Sequence, residues 1–406
     1  MNDLRANRWQ LPDGVNELLP DDAWRVETLR RQIIDNAYRW GYELVMPPMI
    51  EYLDSLLTGT GEMLDLQTFK IIDQHNGRSL GVRADMTPQV ARMDAHALRS
   101  DLPNRFFYTG SVLRARADGA GSSRTPLQFG AELFGHSGPE SDAEIIQLML
   151  DNVMRAGLQL PDLLLDMGHV GVYRALIEDA KLPTALEKQL FQSLLRGSRP
   201  EVMALLREQE DVPSIDQLRI NIDVLMKLSG NCDDVLLKAR QQLGASCASV
   251  QSALDNLESV VKNVTVAHPS VRIHVDLAEL RGFSYHTGIL FTLYDESGGE
   301  LARGGRYDAI GEAFGQARPA TGFSGDLIQL SLAQRPITNP LEAASSGIWV
   351  DSDKDAELSQ IIRDLRSGGD RVVLALPGSS LNAAACHCDR QLVRRDGHWV
   401  VEALQI

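Results

Sequence analysis

The period of the apolar positions changes several times along the chain, and each change marks an element. In PDDAWRVETLRRQIIDNAYRWGYELVMPP, Val26, Leu29, Ile33, Ala37 and Trp40 recur at helical spacing. Asp21 or Asp22 is the expected N-cap, and Gly41 stands just past the expected end. A short strand, YELVMPP, follows. TFKIID and SLGVRAD flank QHNGR, where Asn76-Gly77 predicts a tight hairpin. Thr87 as cap and Pro88 at the first position predict a helix over PQVARMDAHAL. RFFYTGSVLRARA and PLQFGAELFGH read as two more strands joined by DGAGSS. SDAEIIQLMLDNVMRAGL reads as an amphipathic helix begun by Ser141 or Asp142.

From about Gly171 to Val264 helical segments separated by polar breaks predominate, with no strand pattern of comparable strength. Strands return with VRIHVDL, where Val271, Ile273, Val275 and Leu277 alternate, and with FSYHTGILFTLYD before the turn ESGGE. ATGFSGDLIQL then passes from a strand-like entry through Gly322 and Gly325 into an apolar-periodic helix. Strands joined by hairpins, with helices to one side, predict an α+β body on a largely antiparallel sheet. After AQRPITNPLEAASS comes a βαβ half-unit, GIWVD, DAELSQIIRDLRS and RVVLALPG, plus a tail. The expected organisation is a discontinuous body over 1–170 and 265–335, a helical insertion over 171–264, and a small α/β unit over 345–406.

Composition changes this picture little. The 406 residues have the apolar and charged content of an ordinary globular protein, in keeping with two or three domains. The net charge of −15 disfavours a polyanion such as tRNA, which is held largely by phosphate neutralisation. Residues 347–406 carry seven Lys/Arg and nine Asp/Glu, a net charge of −2 (7 − 9). The polar N-terminus lacks a signal-peptide core and no apolar run is long enough to span a membrane, so a cytoplasmic location is expected. Cys386-His387-Cys388, with His398 downstream, lacks the second ligand pair of a structural zinc site. Free thiols, no metal and no cofactor are expected.

Candidate chemistry lies in polar residues set into apolar strands. Arg83 and Asp85 share a strand face ahead of Thr87; Arg114 and Arg116 share one in VLRARA; Gln128 and Glu132 share a parity in LQFGAEL. Arg281 precedes Tyr285 and His286. Any one pair is readily a solvent-facing alternation, and Arg306, Tyr307 and Asp308 are readily turn chemistry. Together, acids, an amide and arginines on one sheet suit a zwitterionic ligand. Near the helix after Gly325, by contrast, an acid, Asp326, stands in the first turn. No Lys or Arg occurs between Arg318 and Arg335.

From about Leu11 to Leu332 these segments resemble, in order, those of class II aminoacyl-tRNA synthetases, and within them histidyl-tRNA synthetase. GYELVMPPMIE is similar to motif 1, the dimer-interface strand, and GVRADMTPQVAR to the amino-acid-binding R-P-E-G-T segment. FFYTGSVLRARADGAGSSRTPLQFGAELFG is similar to motif 2 and ATGFSGDLIQL to motif 3. LRGFSYHTGILF and ARGGRYDAI resemble the histidine-specific segments. The motif 3 arginine that grips ATP falls at Gln329, the glycine before it at Asp326 and the neighbouring acid at Ile328. In motif 2 the arginine survives as Arg114, but the glutamate that seats the nucleotide is Arg116.

The resemblance therefore implies a degenerate ATP site at Arg116, Asp326 and Gln329. It also implies a retained histidine-binding set of Asp85, Thr87, Arg114, Gln128, Glu132, Arg281 and Tyr285, with His286 in place of a second tyrosine. Loss of one charge-stabilising donor costs about 10²–10³ in rate, so a sensor is expected rather than a ligase. That combination, with a C-terminus shorter than an anticodon-binding domain, resembles the regulatory subunits of short-form ATP phosphoribosyltransferase. Such a resemblance implies no aminoacylation and no tRNA. It implies a homodimer within a hetero-octamer with the short catalytic subunit, and feedback regulation of histidine biosynthesis by bound histidine. The alternative is a divergent active histidyl-tRNA synthetase.

Overall fold

The structure is a computed structural model that describes residues 9–59, 62–117, 123–209, 214–244, 246–280, 285–315, 317–333, 347–352 and 355–404. The chain groups into two compact units, Met1–Glu17 with Leu29–Arg335, and Leu18–Thr28 with Pro336–Ile406.

The first unit is built on a large sheet. Its strands are β1 (Glu43–Leu44), β5 (Asn104–Ser111), β6 (Leu127–Phe134), β7 (Leu164–His169), β8 (Ser229–Asn231), β9 (Arg272–Asp276), β10 (Ile289–Tyr294), β11 (Glu300–Arg306) and β12 (Ala320–Asp326). Their order is β1-β5-β6-β12-β11-β10-β7-β9-β8, antiparallel except for β1–β5 and β7–β9. A smaller antiparallel sheet, β2 (Ile50–Tyr52), β4 (Ser79–Val82) and β3 (Phe69–Ile72), lies beside it in sequence.

Alternation along the large sheet separates two faces. Phe129, Ala131, Leu133, Phe323, Phe291, Leu293, Leu165, Met167 and Val275 share one parity across the registers and are all buried. The helix Pro139–Arg155 packs on β6, β11 and β12, and the helix Ala248–Ala267 on β7 and on that helix. Each large side chain so buried contributes about 1.5–3 kcal/mol. The opposite face carries Gln128, Glu132, Ser324, Asp326, Arg303, Thr292, Asp166 and His274. One covered and one polar face is the usual economy of an antiparallel sheet.

Several local expectations change. The first helix, Pro20–Arg39, starts ahead of Asp21 and Asp22, which lie in its first turn. Its end is as expected: Gly41 has φ +82°, and the N–H groups of Gly41 and Tyr42 bond to the carbonyls of Tyr38 and Ala37. The hairpin at Asn76-Gly77 is wider than a two-residue turn. The pairing of Ile72 with Ser79 leaves 73–78 as loop, closed by the Asp73 N–H on the Arg78 carbonyl, with Gly77 at φ +75°. The helix of SDAEIIQ begins at Pro139 with Gly138 as cap; Ser141 donates to the His136 and Gly138 carbonyls instead of capping.

The strand expected through Ala117 stops at Ser111. Beyond it, the N–H groups of Leu113 and Ala115 are taken by the carbonyls of Arg83 and Gln67, those of Val112 and Arg114 by the carbonyls of Pro126 and Arg124, and Arg114 forms an isolated bridge with Thr68. Gly322 and Gly325 do not form a turn before a helix; both lie within β12. Strand β7 had no expectation, since Leu164 interrupts the polar alternation of Asp166 and Gly168. The helical stretch, Val170–Ala180 through Ala248–Ala267, is broken by β8, which pairs with β9 at the sheet edge.

In the second unit, β13 (Gly347–Val350), the helix Ala356–Ser367 and β14 (Arg371–Leu374) form the expected βαβ half-unit. The tail adds a hairpin, β15 (Arg390–Arg395) and β16 (His398–Ala403), and β15 lies parallel to β13. Ile348, Val350, Val372 and Leu392 pack with Leu358 and Ile362 of the helix. Among the described residues, no helix is long and apolar enough to cross a membrane.

Candidate functional site

The polar face of the large sheet opens into a cavity of ≈ 320 Å³, walled by Asp85, Thr87, Glu132, Tyr285, His286 and Tyr307 among others. Glycines make the room. At Gly322 any Cβ would overlap the Glu132 carboxylate, at Gly305 it would come within 2.6 Å of the His286 ring, and at Gly130 within 2.5 Å of the Tyr108 hydroxyl. Their value here is the missing side chain.

Glu132, projecting from β6, is fully buried at 1% exposure. Its Oε1 accepts from the Tyr108 hydroxyl at 2.9 Å and its Oε2 accepts from Tyr307. Thr87 Oγ1 lies 3.0 Å from the Tyr108 hydroxyl. Burial pushes the Glu132 carboxyl up to about 8, against the lowering effect of the Tyr307, Tyr108 and Thr87 hydroxyls; nearby Asp85 raises it further. Tyr285 stacks on Tyr307, ring centroids 5.2 Å apart, and its buried hydroxyl has no partner among the described residues.

Asp85 forms the second acidic wall. Its Oδ1 accepts from the Thr87 N–H at 3.0 Å and from Gln128 Nε2 at 2.7 Å, while Gln128 Oε1 accepts from the Met86 N–H at 3.0 Å. This corrects the reading of Thr87 as a cap. It is the first residue of the helix Thr87–Ala95, Asp85 serves its N–H, and its hydroxyl turns to Tyr108. Gln128 is buried behind Asp85 and is not a cavity wall.

Arg114 is also absent from the cavity walls. Its charge acts on Asp326, at a second corner of the same face. The Asp326 Oδ1 accepts from the Ile328 N–H at 3.0 Å and from the Leu127 N–H at 3.1 Å. Burial raises this carboxyl to about 6; the Ile328, Leu127 and Gln329 backbone donors and Arg114 pull the other way. Here the sequence supplies its own anion to the backbone donors that open the helix Leu327–Ala333. Gln329 and Arg116 are both exposed. The structure thus brings Asp85, Thr87, Glu132 and Tyr285 around one cavity and Arg114 and Asp326 around another point. Arg281 lies outside the described residues.

Other polar residues prove structural. Arg83 is buried, donating to the Pro47 and Ser111 carbonyls at 2.6 and 2.9 Å. Arg306 is no turn residue: it ends β11, pairs with buried Asp142 at 3.0 Å and donates to Ser141 Oγ at 2.8 Å, fixing the start of the helix Pro139–Arg155. Tyr108 is the site residue that sequence reasoning missed, and Tyr307, read there as turn chemistry, belongs to the site as well. Tyr108 stands cross-strand from Gly130, and a large ring opposite a glycine is the signal that could have found it. Cys388 is buried with its Sγ 3.6 Å from the Cys386 carbonyl oxygen, and all four cysteines are free. Among the described residues no three His, Cys, Asp or Glu side chains are placed to hold a metal.

A largely antiparallel sheet with one helix-covered face and a glycine-floored polar cavity on the other defines a class II aminoacyl-tRNA synthetase-like protein of the histidyl type. The family described as Histidyl-tRNA synthetase matches residues 14–330, and that described as ATP phosphoribosyltransferase subunit HisZ C-terminal domain matches residues 345–402. An ATP phosphoribosyltransferase regulatory subunit from Thioalkalivibrio sulfidiphilus is 52% identical, over 98% of this chain and 99% of that protein. One from Pseudomonas syringae is 48% identical, over 98% and 99%. Among solved structures, an ATP phosphoribosyltransferase regulatory subunit/histidyl-tRNA synthetase from Bacillus halodurans superposes with a TM-score of 0.78 at 26% identity, covering 93% of this chain and 96% of that one. Histidyl-tRNA synthetase from Nostoc gives 0.73 at 20% identity, over 98% and 97%, a likeness of fold. The chain belongs to the family of ATP phosphoribosyltransferase regulatory subunits.

Proposed function

We propose that this chain activates and regulates a short-form ATP phosphoribosyltransferase catalytic subunit, the first enzyme of histidine biosynthesis, and has no aminoacylation activity of its own. Free histidine binds in the cavity of the polar sheet face, its ammonium against Asp85 and Glu132, with Arg281 and the Tyr285 hydroxyl as further contacts. Homodimers assemble with the catalytic subunit into a hetero-octamer. Bound histidine shifts that assembly because it binds two arrangements with unequal affinity, a coupling of about 1–3 kcal/mol in such systems. The observation that carries this reading is the contrast between Asp326 and the cavity. The helix start that resembles a triphosphate site is filled by its own carboxylate, while the acids of the amino-acid pocket border open space. For the dimer, the support is apolar: Met46, Met49 and Ile50, in the motif 1 segment, and Ile71 and Ile72 of β3 are exposed.

The test is co-expression with the catalytic subunit, then size-exclusion chromatography and phosphoribosyl transfer with and without histidine. Co-elution and histidine-sensitive activation are expected. ATP–pyrophosphate exchange by the isolated chain, dependent on histidine, would instead establish an active synthetase.

A further inference from the structure

Beyond Thr292, a cavity wall that stands cross-strand from Asp166, three polar side chains stand in hydrogen-bonding order toward the β8 edge of the large sheet. Asp166 of β7 and His274 of β9 are cross-strand neighbours, with His274 Nδ1 2.7 Å from Asp166 Oδ1. Ser229 of the edge strand β8 places its Oγ 3.3 Å from His274 Nε2. Their exposure is graded: the Asp166 side chain is 17% exposed, the His274 side chain 32%, and Ser229 faces solvent. A shielded acid, a half-covered imidazole and an open hydroxyl is the order in which an orienting carboxylate, a general base and a nucleophile act. The carboxylate at Nδ1 favours the tautomer that leaves Nε2 as the acceptor facing Ser229. A separation of 3.3 Å is within the looser range that such pairs show without substrate.

Backbone pairing joins β8 to β9 and the helix Cys232–Gln242 packs on both strands, so the sheet does not need these side chains to touch. The charge around Ser229 selects its partners. Asp276 is its cross-strand partner, and Asp276 and Glu279 both act electrostatically on Asp166, so the local charge is negative and repels anionic electrophiles.

We propose that Ser229 is a nucleophile activated by His274 and Asp166, which takes the acyl group of a neutral or cationic ester and passes it to water. Ser229 Oγ bonds to the ester carbonyl carbon while its proton moves to His274 Nε2. The ester C–O bond breaks, and that proton leaves with the alkoxide as alcohol. Water then attacks the acyl-serine, giving a proton to His274 Nε2. The acyl–Oγ bond breaks, the carboxylic acid departs and the proton returns to Ser229. No oxidant, reductant or metal enters the balance.

The test uses the full chain with p-nitrophenyl acetate as a neutral ester, following p-nitrophenolate release and mapping the acetyl group by peptide mass. Acetylation of Ser229 with a burst stoichiometric in protein is expected, and loss of both in Ser229→Ala. This exposed substitution leaves the fold intact. His274→Ala should slow the burst by about 10²–10⁴-fold, and Asp166→Asn should slow it less. Equal release by wild type and Ser229→Ala, or acetyl groups on lysines and none on Ser229, would overturn the proposal.

Discussion

Glu132, fully buried, and Asp326, half-buried, are acids on the same face of the same pair of strands, β6 and β12, and they do opposite things. Glu132 stands across from Gly322, Asp326 across from Gln128. Burial raises both carboxyls, to about 8 and about 6. Glu132 receives side-chain hydroxyls, and the one from Tyr307 stands on the cavity wall, so it can rotate without breaking backbone pairing and a ligand cation can join it. Asp326 receives backbone N–H groups on both sides, from Leu127 and Ile328, which cannot move without unwinding a strand end and a helix start. The difference teaches that a carboxyl raised by its surroundings marks a binding site by the mobility of its donors more than by the raised pKa itself.

The largest effect that could break this comparison is on stability against pH. An acid whose folded-state pKa is raised binds a proton in the native state that the unfolded chain has already lost. Glu132 thus makes stability fall as pH rises from about 4.5 to about 8. That contribution is on the order of a few kcal/mol. Urea unfolding across this range should show the fall in wild type, and Glu132→Gln should flatten it; an unchanged slope would mean that Glu132 is not the group responsible. Next in size, Glu132→Ala should weaken histidine binding by on the order of 10²-fold, the worth of a charged hydrogen bond lost from a desolvated site. Calorimetry reads it directly, and unchanged affinity would remove the acid from the ligand contacts.

Which parts of this contrast were legible beforehand follows from what each depends on. The polar parity of Gln128 and Glu132 and the missing cation near Asp326 are one-dimensional patterns, visible without a fold. Arg114 was misplaced because its position was read as a continuing strand, whereas the backbone after Ser111 is drawn off by Arg83 and Gln67. Such captures are long-range and leave no local trace. Tyr307 was read as turn chemistry for a related reason. In ARGGRYDAI it looks like the residue after a strand, and only the pairing of β11 with β12, and β12 with β6, brings its hydroxyl to Glu132. Strand β7 was lost to a run of leucines that hides its alternation. The small C-terminal unit was half visible, because its hairpin, unlike its βαβ part, begins after a long stretch, 375–389, with neither helical nor strand period.

A smaller effect sharpens the cavity side. The Tyr285 hydroxyl is buried without a partner among the described residues, so it adds nothing to folding through a hydrogen bond and is available to a ligand. Tyr285→Phe should weaken histidine by about 10-fold, one neutral hydrogen bond, with the free energy of unfolding unchanged or slightly higher. Calorimetry and urea unfolding on one preparation separate the two. A loss of stability without loss of affinity would assign the hydroxyl to packing.

The smallest effect tests the other corner. Asp326→Ala deprives the Leu127 and Ile328 N–H groups of their acceptor, a capping loss of about 1 kcal/mol. The loss is partly offset because the carboxylate being removed is itself costly to bury at neutral pH. Arg114 is left without the acid that its charge now favours, so a drop of a few degrees in Tm is expected rather than collapse. Histidine affinity should stay within about 2-fold of wild type, since no backbone donor to Asp326 borders the cavity wall at Glu132. If Asp326→Ala instead weakened histidine as strongly as Glu132→Ala, the two corners would be one coupled site. The mobility of donors would then have no part in distinguishing them.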